Sequence, residues 1–372
     1  MTIVTLAFRN LLRRPTRTFL LVLGIALAVA TAVALLALSR SIDRSSGEGT
    51  RERGADLTVS QRGAADLFGG FLPADIEQSI AAVPGVTGVA GELLMFAPVD
   101  DEFQFLAVGM SDTSYFWPKM PLAAGRLPQK GERYVALLGG NVERTLNKHV
   151  GDELKLFDHT VKIVGITGYK TALNRGLIIL RSQDLQELSF RDNQVTLFHI
   201  ALQPGMRADQ IEATQKKIDT LGPVSVDPTD QLFAHDRNVE VLRAVSLAIS
   251  IIALTTAGLS VLNVLLMAVQ ERTRETGIMM AIGWSDRRIM ATIVFEGILT
   301  GLAGCIVGVP LGLVACSFFN LLPVIGTYIS FKPSFDIIAP SVVGAFLLSV
   351  LGSLYPAWRA VSYTPADALR RA

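Results

Sequence analysis

Four stretches of the chain are apolar for long enough to cross a bilayer, and the polar sequence between them is divided unevenly. The first covers residues 19–38 and is broken only by Gly24 and Thr31. About 20 residues at about 1.5 Å each reach roughly 30 Å, the thickness of the hydrocarbon core. The second covers 241–269, the third 289–319 and the fourth 337–356. A signal peptide would share the basic start at Arg9, Arg13, Arg14 and Arg17. Its apolar core, however, runs to only about 7 to 15 residues. Ser39-Arg40 offers no clear cleavage site and three spans follow, so 19–38 reads as an anchor.

Between the first two spans, 39–240 has the composition of a folded aqueous domain. Period-2 and period-3.6 patterns there predict two similar units. In the first, a strand over 56–60 and a helix over 73–83 lead through Pro84-Gly85 to a strand over 86–94. In the second, a strand over 197–202 and a helix over 208–221 lead through Gly222-Pro223 to a strand over 224–227. Two such units commonly pair into one sheet with helices on one face, as in ferredoxin-like folds. The segment between them, about 111–193, then reads as an inserted β-rich subdomain. Its strands are predicted at 134–138, 153–157, 160–166 and 177–180, with a helix over 142–146 and another running from a Ser182 cap to Leu188. The predicted fold is thus an α-helical membrane protein with four transmembrane helices and a large α+β extracytoplasmic domain.

Pro228, Thr229 and Asp230 offer a helix start with no breaker before the second span. A helix begun at Asp230 would stand about ten residues, roughly 15 Å, clear of the membrane. Residues 39–46 extend the first span in the same way, with Gly47 and Gly49 expected to stop it. Paired helical stalks of this kind would carry motion between the membrane and the domain.

Net charge is +1 and mean hydropathy +0.42. The charge gives no argument for a nucleic-acid partner, but its placement does give a topology. Arg9, Arg13, Arg14 and Arg17 (in 1–18), Arg272, Arg274, Arg287 and Arg288 (in 270–288), and Arg359, Arg370 and Arg371 (in 357–372) fall on one side of a four-span arrangement. That side is cytoplasmic by the positive-inside rule, which places both termini inside and the large domain, with the short loop 320–336, outside the cytoplasmic membrane. Cys305 and Cys316 are eleven residues apart in one apolar run. That is roughly 16 Å along a helix, too far for a disulfide. Glu296 lies inside the third span, where a carboxylate faces other helices or a wet crevice, as an ion-coupling group or, more simply, as a structural hydrogen-bonding one. Gly297, Gly301, Gly304, Gly308 and Gly312 share one helical face, which suits packing within the bundle or across a dimer.

The connection 270–288 carries charge at both ends around a short apolar core, Ile278 to Ile282, bracketed by Gly277 and Gly283. It reads as a short helix at the membrane face, with the glycines permitting sharp entry and exit. Its Glu271-Arg272-Thr273-Arg274-Glu275-Thr276-Gly277 string, with Ala281-Ile282-Gly283-Trp284-Ser285 and Arg288-Ile289, resembles the coupling segment of FtsX/MacB-type ABC transporter permeases. The ending Pro356-Ala357-Trp358-Arg359-Ala360, then Pro365-Ala366-Asp367-Ala368-Leu369-Arg370, is similar to that family's closing span and tail. Gly54-Ala55-Asp56-Leu57-Thr58-Val59, Gly125-Arg126-Leu127 and Val161-Lys162-Ile163-Val164-Gly165 resemble the MacB-like periplasmic core domain, in the same order.

The resemblance implies a membrane subunit without catalysis of its own. Its partners would be two copies of a cytoplasmic ATPase, contacted through Glu271, Arg272, Arg274, Glu275, Gly277, Ile278, Met279 and Gly283. It further implies a second permease copy, identical or related, membrane lipids, and in some systems a membrane-fusion protein or lipoprotein. ATP and Mg would be bound by the partner, with no cofactor in this chain. The implied work is outer-face motion for export or extraction of a hydrophobic, peptide, haem or lipid-linked substrate. The alternative is an FtsX-like signalling subunit that activates a cell-wall hydrolase.

The sequence itself has no phosphate-cradling Gly-x-x-x-x-Gly-Lys-Ser/Thr, no His-Glu-x-x-His, no Cys-x-x-Cys and no Gly-x-Ser-x-Gly. His149, His159, His199 and His235 are scattered, which favours separate histidines over a metal site. Phe103, Phe105, Tyr115, Phe116 and Trp117 suit core packing better than an apolar ligand cleft.

Overall fold

The computed structural model describes residues 3–13, 15–64, 66, 68–229, 236–322, 327–328 and 335–362. They fall into two compact units, a helix bundle (1–39, 243–319 and 331–372) and a sheet domain (40–242 and 320–330). In chain order the elements begin with α1 (Ile3–Arg13), α2 (Pro15–Glu52), β1 (Leu57–Gln61), β2 (Leu72–Pro73), α3 (Ile76–Ala81), β3 (Val86–Val99) and β4 (Phe103–Met110). The middle of the domain holds β5 (Leu122–Gly125), β6 (Val135–Gly139), α4 (Gly140–Leu146), β7 (Glu153–Leu156), β8 (His159–Thr167), α5 (Ala172–Arg175), β9 (Leu177–Arg181) and α6 (Ser182–Ser189). Next come β10 (Gln194–Val195), β11 (Leu197–Leu202), α7 (Ala208–Asp219) and β12 (Val224–Pro228). Four helices close the chain: α8 (Arg237–Glu271), α9 (Thr273–Ala281), α10 (Asp286–Leu321) and α11 (Phe335–Val361).

Among the described residues α2, α8, α10 and α11 are long and apolar enough to cross a membrane. All four outrun their apolar stretches, because polar residues at the ends keep good helical propensity. Pro15 opens α2, a position where its fixed φ and missing N–H cost nothing. The bundle core joins Leu21, Ile25 and Val29 of α2 to Val261 and Leu265 of α8, Cys305 of α10 and Ala345 of α11. Large apolar side chains on the other faces, such as Ile252, Ile306, Val314 and Leu351, are left exposed.

In the sheet domain, β12, β1, β11 and β3 lie side by side in that order with every pair antiparallel. This is the arrangement that two strand-helix-strand units produce when they interleave. Ile80 of α3 and Ile218 of α7 share a core with Val59, Phe198, Ile200 and Val224. Both helices therefore cover one face, as the ferredoxin-like pattern requires.

The inserted β-rich segment is present as expected, and its strands extend the same ten-stranded sheet. β3 runs on past Leu94 to Val99 and turns into β4 through Asp100 and Asp101, both left-handed at φ 49° and 60°. From β4 the pairing passes through β9, β6, β8 and β7 and returns to β3 at Val99 and Leu156. That ring closes a small barrel around Leu93, Phe105, Leu138, Leu154, Ile163 and Ile178. Phe103 and Phe105 pack with this core, whereas Phe116 is buried in a second cluster that Tyr115 and Trp117 pack against, so the aromatic residues line no common cleft.

Candidate functional site

The connection between α8 and α10 is helical almost throughout. α8 ends at Glu271, Arg272 breaks the helix with φ −108° and ψ 17°, and α9 follows at once. Gly277 therefore lies inside α9, buried, and does not mark its start as its position beside the apolar core had suggested. The exit matches expectation. Gly283 takes φ +92°, its N–H bonds to Met280 O at 3.0 Å, and Trp284 N–H bonds to Met279 O at 3.0 Å. These are the two bonds of a Schellman cap, which needs a residue free to be left-handed.

α9 has two different sides. Thr276 and Gly277 are buried, and Met280 packs with Trp284 against Val269, Ile289 and Ala360. On the other side Arg274 and Glu275 are exposed, with Ile278 and Ile282 at 47% and 71% exposure; Met279 is half-buried, and Glu271, exposed, ends α8 just before the break. Arg272 turns inward, with Nη1 3.4 Å from Glu296 Oε1 and Nη2 donating to Asn10 O at 3.3 Å. Asn10 Nδ2 also donates to Glu296 Oε1, at 2.6 Å. Glu296 is thus held by α1 and by the α8–α9 junction in a structural hydrogen-bonded cluster. Arg17 at the start of α2 adds a bond to Glu271, 3.2 Å.

The glycine stripe of α10 packs within the bundle. A Cβ on Gly297 would stand 2.6 Å from Ser353 Cβ, and one on Gly301 2.7 Å from Ser349 Cβ, both on α11. Further along, Gly304 meets Ile25 Cβ at 2.6 Å, Gly308 meets Ala26 O at 2.7 Å and Gly312 meets Val33 Cβ at 2.9 Å, all on α2. One face of small residues therefore lets α10 approach two neighbours at backbone distance. Cys305 and Cys316 are buried free thiols.

The sheet domain contains a buried polar cluster that sequence reasoning missed. Arg53, the residue after α2, forms an ion pair with Glu92 of β3, their side chains 5% and 0% exposed. Its guanidinium also lies 4.3 Å from the Phe116 ring centroid. His199 of β11 places Nε2 3.5 Å from Glu92 Oε2 and Nδ1 3.2 Å from Thr58 Oγ1, and Thr58 reaches Thr229 Oγ1 at 3.4 Å. Burial and then the neighbouring Arg53 charge hold the His199 imidazole well below its usual pKa, in spite of Glu92. The signal for this cluster was Glu92 itself, a carboxylate within an otherwise apolar strand.

Two further contacts tie chain ends into this unit. α2 does not stop at its glycines, because Gly49 allows close approach to Leu173, whose Cδ2 would be 3.0 Å from an added Cβ, and its carbonyl accepts from Asn174 Nδ2 at 2.8 Å. The Glu52 carboxylate then accepts from the N–H groups of Lys170 and Thr171 at 2.6 and 3.1 Å, just ahead of α5. Tyr328, from the connection between α10 and α11, receives the Leu106 N–H on its hydroxyl at 2.8 Å and lies over Gly176. Burial pushes its phenol up to about 12. At α8 the described helix is capped by Asp236, whose Oδ1 accepts from Asn238 N at 2.9 Å. The expected start at Asp230, together with His235 and the tail motif from Pro365, lies outside the described residues.

Comparison with known proteins agrees with this layout. The profile of the MacB-like periplasmic core domain matches residues 18–218 and that of the FtsX-like permease C-terminal region matches 247–365. An ABC transporter permease of Mycobacterium tuberculosis is 24% identical over 97% of this chain and 98% of its own length. The macrolide export ATP-binding/permease protein MacB of Marinobacter nauticus is 26% identical over 98% of this chain, which spans 60% of that protein. The crystal structure of the periplasmic region of MacB from Actinobacillus actinomycetemcomitans aligns with 51% of this chain and 97% of its own at 10% identity and a TM-score of 0.41. By its two matched regions and its four apolar helices, the chain belongs to the FtsX/MacB-type ABC transporter permeases.

Proposed function

We propose that this permease couples ATP hydrolysis by a separate ATPase chain to movement of its sheet domain outside the cytoplasmic membrane. The observation that carries the reading is the division of α9. One side is tied into the bundle through Met280, Thr276 and the Schellman turn, and the other presents Arg274, Glu275, Ile278 and Ile282. A push on the exposed side would reach α8 and α10 directly, because Arg272 and Trp284, at the ends of α9, are both tied to the bundle. The positive-inside distribution of the arginines supports a cytoplasmic position for this side, and the family resemblance supports two ATPases meeting a permease dimer there. The MacB relative is named as an ATP-binding/permease protein, and this sequence carries no phosphate-cradling motif of its own. The cargo class would be a hydrophobic, peptide, haem or lipid-linked molecule, moved by mechanical work on the outer face.

The test is co-purification with a co-expressed ABC ATPase. Burying the exposed half of Ile278 at that contact would contribute about 1 kcal/mol, roughly 5-fold in affinity, and an aspartate there would add the cost of an unpaired buried charge. Ile278→Asp should therefore strip the ATPase from the complex, and Glu275→Lys should weaken it, while both variants insert and melt normally. Full retention of the ATPase by both variants would refute the proposal.

A further inference from the structure

The helix bundle has a half-open cleft of 260 Å³ between α1, the α8–α9 junction and the start of α10. Its walls are apolar where Leu265, Val269, Met279 and Ile293 face it, and Trp284 closes one side. Its polar lining sets Arg9, Arg13 and Arg272 against Glu275 and Glu296, which leaves a net positive charge. Glu296 is already engaged by Arg272 and Asn10, whereas Arg9 and Arg13, one turn apart on α1, are exposed and have no acidic partner among the described residues. Side chains at i and i+4 lie about 5–6 Å apart, close enough for two guanidinium groups to grip one phosphate.

We propose that this cleft holds the headgroup of an anionic phospholipid, its phosphate between Arg9 and Arg13 and its first acyl carbons over Val269, Met279 and Ile293. The volume is somewhat under the roughly 300 Å³ at which small-molecule pockets begin, so it suits a headgroup whose chains continue into the bilayer. A soluble anion would gain nothing from the apolar wall, whereas an amphiphile matches both halves of the lining. Trp284 has the amphipathic ring that sits at headgroup level. The proposal rests on the placement of α1 and α9 at the membrane surface argued above. A lipid bound here would touch α1, α9 and α10 together and so bear on the stiffness of the coupling element.

The full-length protein, purified without an ATPase, is to be examined by native mass spectrometry after exchange into mixed phosphatidylglycerol and phosphatidylethanolamine. The proposal predicts retained phosphatidylglycerol with at least ~10-fold preference, a difference of about 1.4 kcal/mol. It also predicts loss of that preference in the Arg9→Gln/Arg13→Gln double variant and its persistence in Arg287→Gln. Equal retention of the two lipids by the unmodified protein would overturn it without any variant having to fold. So would an unchanged preference in the double variant, or binding of inorganic phosphate in place of lipid. Labelling of a cysteine at Met280 from either side of the membrane separately tests the surface placement, so the two failures are distinguishable.

Discussion

Replacing Glu92 by Gln isolates the Arg53 charge in the interior of the sheet domain. The two side chains are 5% and 0% exposed, so water cannot take the place of the lost carboxylate. Removing one partner of a buried ion pair costs about 3–5 kcal/mol. For a domain of this size each kcal/mol moves the melting temperature by about 2–4 °C, giving an expected fall of roughly 6–20 °C. Replacing both partners, Arg53→Met with Glu92→Leu, removes the desolvation cost of each ion as well as their attraction, a change that is often neutral or stabilising. Here the His199 Nε2 would lose the carboxylate oxygen 3.5 Å away from it, a smaller cost. The double variant should therefore recover most, though not all, of the loss. The assay is thermal unfolding of the detergent-purified full chain, read in the near-ultraviolet circular dichroism of the aromatic cluster around Phe116. A fall of less than about 2 °C for Glu92→Gln, too small for loss of a buried pair, or a double variant less stable than the single, would refute the reasoning.

The same cluster gives a pH dependence. Because folding holds His199 neutral, the unfolded chain binds the proton more readily, and stability present above about pH 6.5 is lost as pH falls below it, by up to about 1.4 kcal/mol per unit; a His199→Gln variant should show a flatter melting profile over that window, and an unchanged one would contradict the assignment. In the bundle, Gly308→Ala places a methyl group 2.7 Å from Ala26 O and should cost about 1–3 kcal/mol, whereas Gly24→Ala, with open space around it inside α2, should stabilise by up to about 1 kcal/mol, a contrast read by melting in detergent. Tyr328→Phe orphans the Leu106 N–H and should cost about 1–3 kcal/mol, with faster hydrogen exchange at Leu106 as the specific sign.

The parts legible in the sequence were those whose signal is local. Long apolar runs give the four helices, and alternation with Gly-Pro punctuation gives β1, β3, β11 and β12 with α3 and α7. β4 was missed because Phe103 to Met110 has no alternation: in a sheet that curls into a barrel, Phe105 to Met110 are buried on both faces. The return pairing of Val99 with Leu156 joins residues far apart in sequence and leaves no local trace. Gly47 and Gly49 suggested a helix stop, since glycine costs about 1 kcal/mol in a helix, but contacts made by the Gly49 backbone and by Glu52 outweigh it. At the coupling segment the composition was legible, while the direction of each side chain was not. Arg272 and Gly277 turn inward because Glu296 and the bundle core lie on that side, which depends on where α1 and α10 pack.

The most direct test of the account is photo-crosslinking from single positions of α9 in membranes that contain a co-expressed ABC ATPase. Probes at Ile278 and Ile282 should capture the ATPase, and a probe at Thr276, on the buried side, should not. Equal capture from all three positions, or capture from none of them by an ATPase that nonetheless co-purifies, would contradict the claim that α9 is where force enters the permease.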